Sequence, residues 1–236
     1  MRQLDATGVL EVAAAAGLAC VEWGADRHVP PGDPRTAADV RRRGLDLGVA
    51  VASYGSYFRA GPDDPADFGA VLAAAVALGA PRIRIWAGVT GSAGATADQR
   101  GSVVAGARSA VARAADAGVQ VAFEFHGGTL TDAVPSTLDL LDESGAATYW
   151  QPPVGMPDDL ALAGLAQILD RVAAVHAFSW WPRQERRPLL AREALWRGAF
   201  SLLRSHDIDC LLEFVPGDDP AAVAGEAAAL RRLAAA

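Results

Sequence analysis

One rhythm governs this chain: short β-rich segments alternate with alanine- and leucine-rich stretches of helical spacing. The β-rich segments are ACVEWG (19–24), GVAVASYG (48–55), PRIRIWAG (81–88), VQVAFEFHG (119–127), ATYWQPP (147–153), AVHAFSWW (174–181) and DCLLEFVPG (209–217). Between them apolar residues recur at helical intervals, as in Val40, Leu45 and Leu47, or Leu160, Leu162, Leu165, Ile168 and Leu169. Several of these stretches end on a glycine just before the next strand, in AAGLA, LGV, LGAP and DAGV. Such glycines suit the left-handed turn that follows a helix C-terminus.

Strand and helix in alternation, with no hairpin signal, imply parallel strands in an α/β fold. Seven strands and eight helical segments predict a (β/α)8 TIM barrel with its first strand truncated or missing. The chain opens on MRQLDATGVLEVAAAAG, already the entry to a helix, so only Met1 to Leu4 remain for a strand. A doubly wound open sheet is the competing fold. It would carry a glycine-rich phosphate turn after its first strand, and EWGADRHVPPGD is not one. A gap in the barrel predicts exposed edges on the strands carrying Cys20 and Cys210. Exposed edges invite pairing with another chain, which leaves a homo-oligomer open. With 236 residues, just over half of them apolar, the chain has core enough for a single domain over 1–236.

Composition removes several chemistries. All 21 basic residues are arginine, so no lysine exists to form a Schiff base. A net charge of −7 disfavours nucleic acid as a partner, and the one tight basic run, Arg41 to Arg43, sits in a helical stretch as a solvated face. Cys20 and Cys210 are too few and too far apart in sequence for a disulfide framework or a thiolate zinc site, which fits a reducing cytoplasm. No apolar run is long enough to cross a membrane. The opening VLEVAAAAGLAC is flanked and interrupted by Asp5 and Glu11, so it reads as an amphipathic first helix rather than a leader.

Isolated polar residues mark the strand ends. Alternation along VQVAFEFHG puts Val121, Phe123 and Phe125 on the helix-facing side and Ala122, Glu124 and His126 towards the barrel axis. Glu22, Gln151, His176 and Glu213 occupy matching positions in the C-terminal halves of their strands, where barrels of this kind keep their active sites. A buried carboxylate is costly unless paired or bound to a metal. Two carboxylates, an imidazole and an amide oxygen are able to surround a divalent cation: Mn²⁺, Mg²⁺, Co²⁺ or catalytic Zn²⁺. The plain alternative is a set of structural pairs satisfied by arginines.

These motifs resemble the xylose isomerase-like TIM-barrel superfamily of sugar-phosphate isomerases and epimerases. The resemblance rests on GLACVEWGADRHVPPGD, FEFHGGTLTD, VHAFSWW and LLEFVPGDDP, and runs over nearly the full chain apart from the abbreviated first strand. It implies a metal-dependent isomerase or epimerase of a sugar or keto-polyol, working by proton transfer through a metal-stabilised enediolate. By position, it implies Glu124, Gln151, His176 and Glu213 as metal ligands, with Glu124 and Glu213 as the catalytic proton carriers. In that family the second ligand is commonly an aspartate followed three residues later by a histidine. Here QPPV supplies Gln151 and Val154, and a neutral amide attracts a cation less strongly.

The remaining candidates are substrate contacts: Glu22, His28, His126, Arg183, Trp86 and Trp180. His28 lies in a loop that HVPPGD also explains as a proline-stiffened turn, and His126 serves equally as a loop scaffold. Arg183 has the neighbours Arg186 and Arg187 as rivals. The tryptophans, and more weakly Tyr54, offer either a wall for the apolar face of a sugar or simple packing. Two other functions stay open on the same site: a dehydratase or lyase of a keto-polyol, and a non-catalytic sugar-binding protein. Phosphodiester cleavage is disfavoured by the acidic balance and by a chain with four histidines.

Overall fold

In a computed structural model, which describes residues 1–235, eight α-helices alternate with the strands. Ala236, the last residue of the expected domain, lies outside the described residues. The strands are β1 (Cys20–Gly24), β2 (Ala50–Arg59), β3 (Arg82–Trp86), β4 (Gln120–Phe123), β5 (Ala147–Trp150), β6 (Val172–Ala177), β7 (Ser179–Trp180), β8 (Arg186–Arg187) and β9 (Asp209–Leu212). The helices are α1 (Ala6–Ala15), α2 (Pro34–Asp46), α3 (Phe68–Leu78), α4 (Ala97–Ala115), α5 (Val134–Ser144), α6 (Asp158–Ile168), α7 (Glu193–Leu203) and α8 (Val223–Ala234).

Seven strands form one parallel sheet in the order β1–β2–β3–β4–β5–β6–β9, a nearly closed barrel with one strand missing. Among the described residues no ladder joins β9 back to β1. Met1 to Leu4 do not form a strand there. They make a turn across the mouth, where the Gln3 amide donates to the Asp218 carbonyl (2.5 Å) and Arg27 Nε donates to the Arg2 carbonyl (2.9 Å). Helices close the seam instead: Ala16, Val215, Val223 and Ala227 pack together, and Arg231 donates to the carbonyls of Ala16 and Gly17 at 3.1 and 3.3 Å.

Local chemistry explains the helix boundaries. Asp5 caps α1 by accepting from the Gly8 N–H (2.8 Å), and Thr96 with Gln99 forms a reciprocal capping box on α4. The four glycines expected after helices, Gly17, Gly48, Gly79 and Gly118, all carry positive φ.

Side chains sort by face as the strand period requires. Val121 and Phe123 enter the apolar layer under the helices, whereas Ala122 joins Ala52, Ala174, Tyr149 and Leu211 inside the barrel. Alanine at three of those five interior positions leaves room for large polar side chains above them. The hairpin reading needs correction: Ser179–Trp180 and Arg186–Arg187 pair as a small antiparallel ribbon beyond β6. The segment 174–181 is therefore not one strand, and Trp180 lies in the ribbon rather than in β6. It packs instead on Phe178 and Phe214, with ring centroids 5.1 and 4.5 Å away.

Candidate active site

Three candidate residues follow their strands directly: Glu124 after β4, Gln151 after β5 and Glu213 after β9. The peptide N–H groups of Glu124 and Glu213 still donate to the neighbouring strand, to Ile85 and Ala177 carbonyls at 3.1 Å each. Both carboxylates are thus fixed at the C-terminal rim. Phe214, immediately after Glu213, takes a left-handed φ of 49°, so the backbone turns sharply away once the carboxylate has been presented. His176 lies within β6, and Glu22 within β1.

A continuous polar chain joins these elements across the barrel interior. His176 Nε2 stands 3.2 Å from Glu22 Oε1, and Ser53 donates to the other Glu22 oxygen at 2.6 Å. Arg84, from β3, donates through Nε to Glu22 Oε1 (3.1 Å) and through Nη1 to Glu124 Oε2. On the other side, His176 Nδ1 faces Gln151 Oε1 at 3.2 Å and Glu213 Oε2 at 3.6 Å. Glu124, Arg84 and His176 are all buried.

Register makes this network. Glu22 pairs with Ser53 across β1 and β2, and Gly55 pairs with Arg84 across β2 and β3. A β-carbon on Gly55 would stand 2.8 Å from Arg84 Nη2 and 3.1 Å from Glu22 Oε1. Glycine is what lets the guanidinium and carboxylate lie over the strand.

The electrostatics follow from burial and pairing. Burial opposes ionisation of Glu22, but Arg84, His176 and the Ser53 hydroxyl outweigh it and hold the carboxyl well below the usual carboxylate range. For Arg84, burial disfavours the charge, while Glu22 and Glu213 raise its pKa above the ordinary guanidinium value. Burial pushes the Cys210 thiol up to about 12 and raises that of Cys20, so neither sulfur offers a thiolate.

The implied divalent cation can be tested against these atoms. If His176 Nε2–H donates to Glu22, the Nδ1 lone pair points at two acceptor oxygens, an arrangement that a cation between them would satisfy. Among the described residues Glu213 Oε2 is itself buried without a hydrogen-bond partner. Donors bound to one small ion stand about 3.0–3.7 Å apart, which the 3.2 and 3.6 Å separations match. A carboxylate holding the far nitrogen of a ligating imidazole is the usual support for such a ligand. Gln151, His176 and Glu213 therefore fit a cation. Among the described residues no three His, Cys, Asp or Glu side chains gather as a metal group, and the trio qualifies only because its third member is an amide. Glu124 is turned to Arg84 through Oε2.

Other expected contacts lie elsewhere. His28 donates through Nε2 to the Leu4 carbonyl (3.2 Å) and meets Trp23 edge-on, securing the opening segment rather than facing the cluster. His126 lies beside the site against Trp86, centroids 4.6 Å apart, with Nδ1 on the Gly127 carbonyl. The indole N–H groups of Trp86 and Trp180 are buried without partners among the described residues. Arg183 is exposed at the tip of the β7–β8 ribbon, while Arg186 pairs with Asp218 over the Phe214 ring. Tyr54 is not a wall residue: it is fully buried, and its hydroxyl donates to the Val29 carbonyl (2.6 Å). The sequence reading missed Arg84 and Ser53. The signal for Arg84 was present, a charged residue in RIRIW at an inward position, the same criterion that singled out Glu124.

Residues 10–148 match the family model described as a xylose isomerase-like TIM barrel. No functionally curated protein matches the sequence. Among solved structures, the fold is similar to a probable 3-DHS dehydratase involved in petrobactin synthesis from Bacillus anthracis, with a TM-score of 0.81, 17% identity and 97% of each chain covered. D-psicose 3-epimerase from Clostridium cellulolyticum H10, solved with D-tagatose, is similar at a TM-score of 0.73 and 13% identity, over 97% of this chain and 92% of that one. A xylose isomerase-like TIM-barrel protein from Mycobacterium smegmatis in complex with magnesium reaches 0.71 and 15%, over 98% and 88%. Among the described residues no helix is long and apolar enough to cross a membrane. The matched model spans more than half of the sequence, and the chain belongs to the xylose isomerase-like TIM-barrel family.

Proposed function

We propose that the protein is a divalent-metal-dependent enzyme that enolises a polyhydroxylated ketone, an isomerase or epimerase of a sugar or keto-polyol. The observation that carries this reading is the His176 arrangement: one ring nitrogen anchored on Glu22, the other facing the oxygens of Gln151 and Glu213. Gln151, His176 and Glu213 would hold the ion, with Glu124 joining through the oxygen that Arg84 leaves free. When bound, the ion supplies Lewis-acid stabilisation of the negative charge that develops when a proton leaves the carbon beside a carbonyl.

The chain's own groups do the rest. Glu124 and Glu213 reach the rim from strands on different sides of the barrel, so one carboxylate takes a proton from one face of a bound ketone and the other returns it. Arg84 keeps Glu124 oriented and contributes positive charge near the developing oxyanion. Trp86 and Trp180 would flank the mouth as apolar surfaces for a sugar ring. A dehydratase is the second reading, favoured by the closeness of the fold to the probable dehydratase over 97% of both chains. It shares the first proton abstraction and then expels a β-hydroxyl.

The test is α-proton exchange in D₂O, followed by NMR, with a panel of ketoses, 3-keto-glycosides and cyclic keto-polyols in the presence of Mn²⁺, Mg²⁺ or Zn²⁺. Deuterium at the carbon beside the carbonyl supports enolisation, and loss of the mass of water in the product selects the dehydratase. Absence of exchange with every substrate and ion overturns the enzymatic reading in favour of a sugar-binding protein.

A further inference from the structure

The most unusual group inside the barrel is Arg84. Its guanidinium is buried, contacts Glu22 and Glu124 together, and lies where Gly55 leaves the space. The space is reserved by the sequence, because any side chain at residue 55 would strike Nη2 or Glu22. Arg84 therefore meets, with a fixed single charge, part of the demand that three interior carboxylates, Glu22, Glu124 and Glu213, place on the site.

We infer that Arg84 is a built-in counter-cation that competes with a divalent ion for Glu124 and thereby sets the metal affinity of the site. This rests on the proposed metal-binding reading and adds its control. Two effects act in the same direction. Glu124 Oε2 is engaged by Nη1, so the carboxylate is a weaker donor to any ion. A guanidinium held between Glu22 and Glu124 also repels a second positive charge across a low-dielectric interior. Gln151 compounds this by contributing no charge of its own. The consequence is a site that stays assembled without metal, because Arg84 already bridges β1, β3 and the end of β4, and that takes up its ion weakly and reversibly.

The experiment is a calorimetric titration of the metal-free protein with Mn²⁺, and separately Zn²⁺, on the wild type, Arg84→Met and Arg84→Lys, with circular dichroism confirming each fold. Thermal midpoints with and without ion give the second readout. Arg84→Met is expected to melt earlier than wild type without metal, to bind Mn²⁺ at least tenfold more tightly, and to recover more of its midpoint on metal addition. Arg84→Lys keeps the charge and is expected to remain near the wild-type affinity. If Arg84→Met folds and binds the ion no more tightly than wild type, or less tightly, the competition is overturned while the metal site stands. If neither wild type nor any folded variant binds an ion, the metal reading falls and the competition with it. Gln151→Asp separates the two cases further, since a genuine site gains affinity from the added charge whether or not Arg84 competes.

Discussion

The two halves of the barrel interior treat buried charge in opposite ways. On the side of β1, β3 and β4, Glu22 and Glu124 are satisfied by a guanidinium from the same sheet. On the side of β5, β6 and β9, Gln151 and Glu213 direct oxygens at an imidazole nitrogen, and among the described residues Glu213 Oε2 has no hydrogen-bond donor. His176 stands between, anchored to the first half through Glu22. The contrast separates a scaffold from a receptor. The carboxylates of the first half are paired as folded, whereas on the proposed reading Glu213 awaits a cation. Buried polar groups left unpaired cost stability, and on the proposed reading the one on Glu213 is kept for a ligand.

The largest expected effect comes from exchanging glutamate for glutamine on each side. Glu124→Gln and Glu213→Gln should both reduce α-proton exchange by about 10²–10⁴-fold, the usual contribution of a positioned acid or base. Their stabilities should diverge. Glu124→Gln deprives buried Arg84 of one of its two carboxylates, and breaking such a pair costs about 3–5 kcal/mol. Glu213→Gln removes charge from an unsatisfied position and should leave the denaturant midpoint unchanged within about 0.5 kcal/mol, or raise it. Equal losses in urea unfolding would erase the distinction between the halves.

Gly55→Ala comes next. The new methyl would stand 2.8 Å from Arg84 Nη2, and overpacking of this kind costs about 1–3 kcal/mol. Because the guanidinium must shift off Glu22, the variant should also lose part of the network that aligns His176. A wild-type melting curve would mean that Arg84 does not need the space this glycine leaves.

How much of this could be read from the sequence differs between the halves as well. The parallel alternation, the missing strand and the helix-ending glycines were all visible, since each is written in local period and turn chemistry. Glu124, Gln151, His176 and Glu213 stood out because a polar residue inside an apolar strand is conspicuous. Arg84 is just as conspicuous in RIRIW, but the arginine partners considered for the carboxylates carry no residue number, so Glu22 and Glu124 are legible in the sequence without the cation that pairs them. Gly55 carried no signal, because its role depends on register with β3. The ribbon at Ser179–Trp180 was missed for a similar reason: WWPRQERRP has no tight-turn dipeptide, and its pairing depends on the loop path beyond β6.

Acid should act on the scaffold half. Glu22 has a folded pKa below its ordinary 4.5, so its contribution is present above that value and lost as pH falls below it. Unfolding free energy from urea titrations should therefore decline below about pH 4.5, and Glu22→Gln should lower stability at neutral pH and flatten that limb. A limb of unchanged steepness in the variant would assign acid sensitivity to other carboxylates.

The smallest effect belongs to His28, outside both halves. Burial lowers its pKa from 6.5, although the Leu4 carbonyl works the other way, so the folded state holds this proton less firmly than the unfolded chain. The sign is that stability rises with pH just below 6.5 and falls as acid forces the proton on. The slope is shallow because the ring is only half-buried. His28→Gln should remove it while keeping a donor for the Leu4 carbonyl, and should leave the limb below pH 4.5 intact. Two separable pH windows would place control of the opening segment in the loop after β1 and control of the interior in the Glu22–Arg84 pair. A single merged window that vanishes with either substitution would join them into one cooperative network running from the seam to the barrel axis.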